Sequence, residues 1–380
     1  MAQSVELERD QEETRPGGPQ AWLSTTLGRI LVSLFVPLVT FVVLWQVFLF
    51  LRDAQIPLWI TALIAIVWGV GGVLVLFSIS NYVIEQLPNI WRRRLTPFVF
   101  VGPALAILSW YLVLPTLRSL YASFFDSSGA TFVGLANYIY AFTSQEMLQS
   151  YRNNFLFWLI FGTAFSVSFG LVIAVLADRL DPVSELVCKT LIFMPMVISG
   201  VAASVIWKFI YEFRPPGAPQ IGLLNGLMAA FGGQPQGWLL LQPWNNLMLV
   251  AILIWLQTGY AMVILSAAIK GVPADLYEAG RIDGATELQI FRSITVPSIQ
   301  GALITVATTT LLGTLKVFDI VQSMTGGNFG TQVIANVQFV QLFRLVENGR
   351  AAAIAIVLLV AVLPVMYYNL RQFGNQTEAF

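Results

Sequence analysis

Leu276-Tyr277-Glu278-Ala279-Gly280-Arg281-Ile282-Asp283-Gly284-Ala285-Thr286-Glu287-Leu288-Gln289-Ile290-Phe291-Arg292-Ser293-Ile294-Thr295-Val296-Pro297 is a polar island in an apolar chain. Ala285, Leu288, Phe291 and Arg292 share one stripe at helical spacing, and Asp283-Gly284 interrupts the pattern just before a new helix start. The order predicts a short helix, a tight turn at Gly284 and a second short helix. Both would lie along a membrane surface, because the chain on either side is uncharged over 247–269 and from 298 to 315, with a possible extension to 320. Each run is long enough to cross a hydrocarbon core of about 30 Å, which takes roughly 20 helical residues. A surface-lying helix pair between two spans is a natural place for a soluble partner to push.

Further uncharged runs of this kind occupy 30–51, 57–79, 95–117, 153–177, 190–207 and 351–370, so eight spans are expected. They must be helical. Hydrocarbon offers no partner for backbone N–H and C=O, and barrel strands would be about half as long with alternating polarity. The expected fold is therefore an all-α polytopic membrane bundle. Composition agrees, with 57% hydrophobic residues, 11% charged residues and a mean hydropathy of +0.75.

Arg92-Arg93-Arg94, between the second and third spans, is the densest basic cluster and places that loop in the cytoplasm. Alternation then puts the N-terminus, the loop 178–189, the loop 270–297 and the C-terminus on the same side, with most of the 20 Lys and Arg. The expected organisation is a cytoplasmic tail over 1–26, two N-terminal spans and the basic loop over 27–94, a six-helix core over 95–371 and a short cytoplasmic tail over 372–380. The tail, rich in Gln, Glu and Pro, lacks the apolar content to fold alone, and the first apolar run is too long and too late for a cleaved signal. Two outer segments, 118–152 and 212–246, are long and aromatic enough to offer a docking surface.

Several chemistries are excluded. A net charge of zero provides no field for nucleic acid. No histidine and a single Cys188 remove hydrolytic triads, disulfide frameworks and Cys/His metal centres. No Gly-rich phosphate loop with its Lys-Ser/Thr ending occurs, so the chain cannot cradle ATP by that device. Polar residues inside spans are costly and point to a pathway. Lys316 and Asp319 stand out: at i and i+3 on one helix they either neutralise each other or line a cavity beside Phe318. Trp255, Gln257 and Tyr260 have the aromatic faces and hydrogen-bonding groups that sugars require, with bundle packing as the plain alternative for the aromatics. Lys208 and Glu212, at i and i+4, read as an interfacial ion pair.

Glu278-Ala279-Gly280, then Gly284, Ile294 and Val296-Pro297 resemble the cytoplasmic signature of the membrane subunits of binding-protein-dependent ABC importers. That signature is Glu-Ala-Ala, three residues, Gly, nine residues, Ile, any residue, Leu-Pro. Five named positions match, and Gly280 and Val296 depart mildly. Similarity to the carbohydrate branch runs from about residue 98 onward, through Gly134-Leu135-Ala136-Asn137-Tyr138, Trp255-Leu256-Gln257-Thr258-Gly259-Tyr260 and Leu315-Lys316-Val317-Phe318-Asp319. The whole is similar to the maltose-type permeases, without a large external insertion after the third span, and most similar to alpha-glucoside permeases.

The resemblance implies a type I importer permease fold whose coupling helix carries Glu278, Ala279, Gly280, Asp283, Gly284, Ala285, Phe291 and Pro297. It implies a substrate pathway at Trp255, Leu256, Gln257, Tyr260, Lys316, Phe318 and Asp319. It further implies a second permease subunit, two ATP-binding subunits that hold ATP and Mg, an external solute-binding protein, an alpha-glucoside cargo and a place in a bacterial inner membrane. The chain itself would carry no cofactor, metal or ATPase site. An ion-coupled secondary transporter is the alternative, but it would show repeated halves with intramembrane carboxylates in both, and none is visible. An enzyme or receptor would need catalytic residues or a soluble output module that the chain lacks.

Overall fold

The structure, a computed structural model, describes residues 26–53, 57–85, 89–215 and 217–377, so the expected N-terminal tail lies almost wholly outside the described residues. The chain divides into two compact units, Met1–Pro115 and Thr116–Phe380.

In the first unit, α1 (Thr26–Asp53) and α2 (Leu58–Glu85) have 28 residues each, about 42 Å of helix at 1.5 Å per residue. They pack where Gly72 leaves room for Leu44, whose Cδ2 would lie 3.0 Å from an added Cβ. α3 (Asn89–Leu108) follows, with Phe100 stacked on Phe77 at 6.2 Å. Their exposed faces are aliphatic and aromatic, as a lipid solvent demands.

A π-helical turn, Ser109–Val113, leads into α4 (Leu114–Ala122), on which the division falls. The second unit then builds the segment expected on the outer side from α5 (Ala136–Thr143) and α6 (Gln145–Arg152). Asn137 holds it together, donating from Nδ2 to the carbonyls of Ser123 (2.9 Å) and Phe125 (2.7 Å). α6 runs through a π turn, Asn153–Gly162, into α7 (Thr163–Ala177). Asp181 caps α8 (Pro182–Phe193) by accepting the Ser184 backbone N–H, a bond that holds its carboxyl below the usual range. A 3₁₀ turn, Met194–Val197, precedes a 105° bend into α9 (Gly200–Tyr211).

α10 (Leu223–Ala230) sits in the second outer segment, where Asn225 joins Glu212, Gln236 and Trp238. α11 (Trp244–Lys270) is the central helix, with Leu249, Ile252, Met262 and Leu265 fully enclosed. Next come α12 (Ala274–Ile282), α13 (Glu287–Ile290), the π turn Phe291–Thr295 and α14 (Val296–Ser298), then a 70° bend into α15 (Gln300–Leu315). α16 (Asp319–Met324), α17 (Ile334–Phe339), a π turn Val340–Arg344 and α18 (Asn348–Thr377) complete the unit.

Lipid provides no hydrophobic drive between helices, so close packing must hold them. α7 meets α11 at Gly170, where an added Cβ would fall 2.4 Å from Ala261 Cβ and 2.9 Å from Met262 N. α8 meets α11 at Gly259, where it would fall 2.5 Å from the Ile192 carbonyl oxygen. Glycine at these two contacts lets three helices approach backbone to backbone.

The described residues give five helices long and apolar enough to cross a membrane alone, or seven if each bent pair counts as one span, against the eight expected. The first expected span falls on α1, whose leading side chains lie outside the described residues. The expected straight span over 190–207 is instead bent at Ile198-Ser199, because Pro195 ends one helix and Ser199 caps the next by accepting the Ala202 N–H at 3.2 Å. The possible extension of 298–315 to 320 is not made: the helix stops at Leu315.

Candidate functional site

The stop at Leu315 creates the site. Lys316 and Phe318 leave helical geometry (φ −101°, ψ 11° and φ −141°, ψ −56°) before Asp319 opens α16. Irregular backbone at membrane depth is tolerated where it lines a cavity. Here it lines one of about 300 Å³, with Leu256 and Gln257 from α11 and Met196, Ile198 and Gly200 from the bend between α8 and α9.

Two expectations about this region are corrected. Lys316 and Asp319 do not share one helix, and no ion pair joins them. Each stands at a helix end instead. Lys316 caps the C-terminus of α15, where carbonyls favour a cation. Asp319 lies in the first turn of α16 and against the first turn of α9, its Oδ2 3.5 Å from where a Gly200 Cβ would sit. Among the described residues neither head has a hydrogen bond or an ion pair, which leaves both open to a ligand. Lys316 supplies three donors, Asp319 acceptors, Gln257 two donors and a carbonyl acceptor, and Phe318 an aromatic ring that packs on Phe339 at 5.0 Å.

Five of the seven expected pathway residues, Leu256, Gln257, Lys316, Phe318 and Asp319, therefore meet around one cavity. Trp255 and Tyr260 do not. Trp255 sits edge-on to Trp207 at 5.8 Å in the outer core, and Tyr260 packs against the cluster of Ala261, Met262 and Leu265. Met196, Ile198 and Gly200 were missed in the sequence, although Pro195 and Ser199-Gly200 are break signals within that run.

The surface segment forms two helices joined at Gly284, whose φ of +77° requires glycine. Thr286 starts the second with a reciprocal capping box: its Oγ1 accepts the Gln289 N–H, and its own N–H donates to Gln289 Oε1 at 2.7 Å. Gly280 presses onto this second helix, and an added Cβ would meet Ile294 Cδ1 at 2.9 Å. Glu278, Ala279, Asp283 and Gly284 are exposed, Ala285 and Phe291 are half-buried and Pro297 is exposed. Among the described residues Glu278 has no hydrogen bond or ion pair, and the adjoining Ile282 is 85% exposed.

Beneath this pair lies an ionic cluster that sequence reading did not single out, though Lys189 at the edge of an apolar run was its signal. Lys189 Nζ donates to Asp178 Oδ1 (2.6 Å), Glu185 Oε1 (2.5 Å) and Ser266 Oγ, and Lys270 also donates to Glu185. It fastens together the ends of α7, α8 and α11. The expected Lys208–Glu212 ion pair is not formed; only the backbone carbonyl of Glu212 is engaged, accepting from Asn225 Nδ2 at 2.9 Å.

An all-helical body with broken spans around a small polar cavity and an exposed helix pair at one end defines a membrane transport subunit. Residues 166–373 match the family described as binding-protein-dependent transport system inner membrane component. The chain belongs to that family. It is 53% identical over 280 residues to the osmoprotective compounds uptake permease protein GgtC of Synechocystis sp., covering 74% of this chain and 99% of that one. It is 50% identical over 286 residues to the alpha-glucoside transport system permease protein AglF of Rhizobium meliloti, covering 75% and 84%. The fold is that of a chain in the crystal structure of a bacterial ABC transporter that imports the acidic polysaccharide alginate, with a TM-score of 0.65 at 19% identity, covering 76% of this chain and 99% of that one.

Proposed function

We propose that this chain is the translocation subunit of an ATP-driven importer of alpha-glucosides, among them small glucosylated osmolytes. The cavity carries the reading: Gln257, Lys316 and Asp319 offer hydroxyl-binding groups of both signs, beside the Phe318 ring that suits the C–H face of a sugar. The names of the relatives, an alpha-glucoside permease and an osmoprotectant permease, support the same cargo.

A single chain would leave the pathway half lined, so a second permease subunit completes it. Two ATP-binding subunits, holding ATP and Mg, take the exposed pair α12 and α13 into a groove, with unpaired Glu278 meeting a basic residue and Ile282 an apolar patch. Gly284 sets the angle of the pair. Closure of the ATP-binding subunits then moves the pair and, through α11, rocks the cavity between the two sides of the membrane. The termini and the coupling loop 270–297 face the cytoplasm of a bacterium, and an external solute-binding protein docks on the opposite side. In this reading 95–371 is the permease core, and the spans within 27–94 are an addition to it.

The test is ATP hydrolysis by the reconstituted complex with its solute-binding protein, across trehalose, sucrose, maltose and glucosylglycerol. Stimulation by one sugar that Glu278→Ala abolishes supports both cargo and coupling. ATP hydrolysis without stimulation by any of them overturns the cargo, and normal transport by Glu278→Ala overturns the coupling role.

A further inference from the structure

The second surface helix does not lie flush on the bundle. Between it and the end of α7 is a pocket of about 530 Å³ with two unlike walls. One wall is aliphatic, from Val172, Val175 and Leu176 on α7 and Leu288 on α13, and three of these four side chains are more than half exposed. The rim is ionic. Glu287 is shared by two guanidiniums, Arg179 at 3.4 Å and Arg281 at 3.5 Å, and all three side chains are well exposed. Asp178 also borders the pocket, but its Oδ1 is committed to Lys189 and Ser266. One guanidinium charge is therefore left over.

The pocket also sits at a particular depth. The apolar span that includes α7 ends at Ala177, and Asp178 and Arg179 follow at once. The aliphatic wall is thus at the level of acyl chains and the rim at the level of headgroups.

We infer that this pocket binds one anionic phospholipid, its phosphate on Arg179 and Arg281 and an acyl chain along Val172, Val175 and Leu176. Charge selects an anionic headgroup. The aliphatic wall selects a lipid over free phosphate, which would satisfy the arginines and leave that wall bare. The lipid then bridges the coupling pair to the bundle at the point where Arg179 and Glu287 already touch. Only the leaflet, the inner one, rests on the orientation proposed above.

The experiment is lipid retention by the assembled complex. The complex is placed in phosphatidylcholine nanodiscs with and without phosphatidylglycerol, then extracted in mild detergent, and bound lipid is counted by native mass spectrometry. Wild type should keep phosphatidylglycerol in preference to phosphatidylcholine. Each arginine beside an anionic headgroup contributes about fivefold, so Arg179→Gln with Arg281→Gln should lose about 25-fold in retention. Glu287→Gln, which releases the second guanidinium, should raise retention about fivefold. Equal retention by wild type and the double variant overturns the inference, as does displacement of the lipid by inorganic phosphate or glycerol 3-phosphate. Should the double variant fail to assemble, an unchanged Glu287→Gln overturns it alone. Because the readout is bound lipid, failure here leaves the sugar reading untouched, and absence of sugar stimulation leaves this one untouched.

Discussion

Gly170→Ala adds one methyl group at a close helix–helix contact, that of α7 with α11. The new Cβ would lie 2.4 Å from Ala261 Cβ, 2.9 Å from Met262 N and 3.0 Å from the Ala261 carbonyl carbon. Carbon atoms pack at about 3.5–4.0 Å, so the first contact overlaps by more than 1 Å. Two of the three atoms are backbone and cannot rotate away. α7 and α11 must therefore part by about an ångström, loosening contacts above and below, and overpacking of this kind costs about 1–3 kcal/mol. The upper end, about 3 kcal/mol, is expected here. The assay is SDS-driven unfolding in mixed micelles, followed by tryptophan fluorescence. Adding Ala261→Gly removes the nearest atom but not the Met262 contact, so it should restore about half of the loss. Unaltered stability of Gly170→Ala, or full rescue by Ala261→Gly, would refute the claim that backbone approach holds this pair together.

The same substitution at Gly280 should behave in the opposite way. Its one close neighbour is the tip of Ile294, which can swing aside, so Gly280→Ala should stabilise α12 by about 0.5–1 kcal/mol and leave transport intact. Gln257→Ala and Asp319→Asn should each raise the KM for sugar while basal ATP hydrolysis stays constant; a change in basal hydrolysis without a KM effect would remove them from the cargo site. Lys189→Met should destabilise the bundle by stranding Asp178, and Asp178→Asn in that background should recover most of the loss, as a double-mutant cycle in the same micelles would record.

Sequence reading reached the surface helix pair because its signals are local: the Asp283-Gly284 break falls where Gly284 takes a positive φ, and the Thr286–Gln289 cap that starts the second helix is a further local signal that the reading did not use. The cavity was half legible. Gln257, Lys316 and Asp319 were visible as polar residues in apolar runs, but Lys316-Val317-Phe318 contains no Gly or Pro, and nothing in it announces a helix break. Tertiary contacts produce that break. Trp255 and Tyr260 fall outside this cavity for a related reason. Residue type identifies a plausible sugar contact, whereas the bend at Ile198-Ser199 decides which side of α11 stays open, and a bend of 105° cannot be read from composition. The Lys189 cluster unites residues from three helices up to 92 positions apart, beyond the reach of any local pattern.

In the proposed reading, the helix breaks keep most of what would recognise the cargo apart from what would drive it. Of the residues that would choose the cargo, Ile198 and Lys316 to Phe318 sit in short connections, Gly200 and Asp319 open the helices that follow them, and Gln257 lies on α11. Those that would receive force lie on a capped helix pair tied to the interlocked helices α7, α8 and α11. A change in either connection can reshape the cavity without disturbing the glycine contacts of α7 and α8 on α11. On that reading, new cargoes would be accessible by few substitutions, with the drive train inherited unchanged.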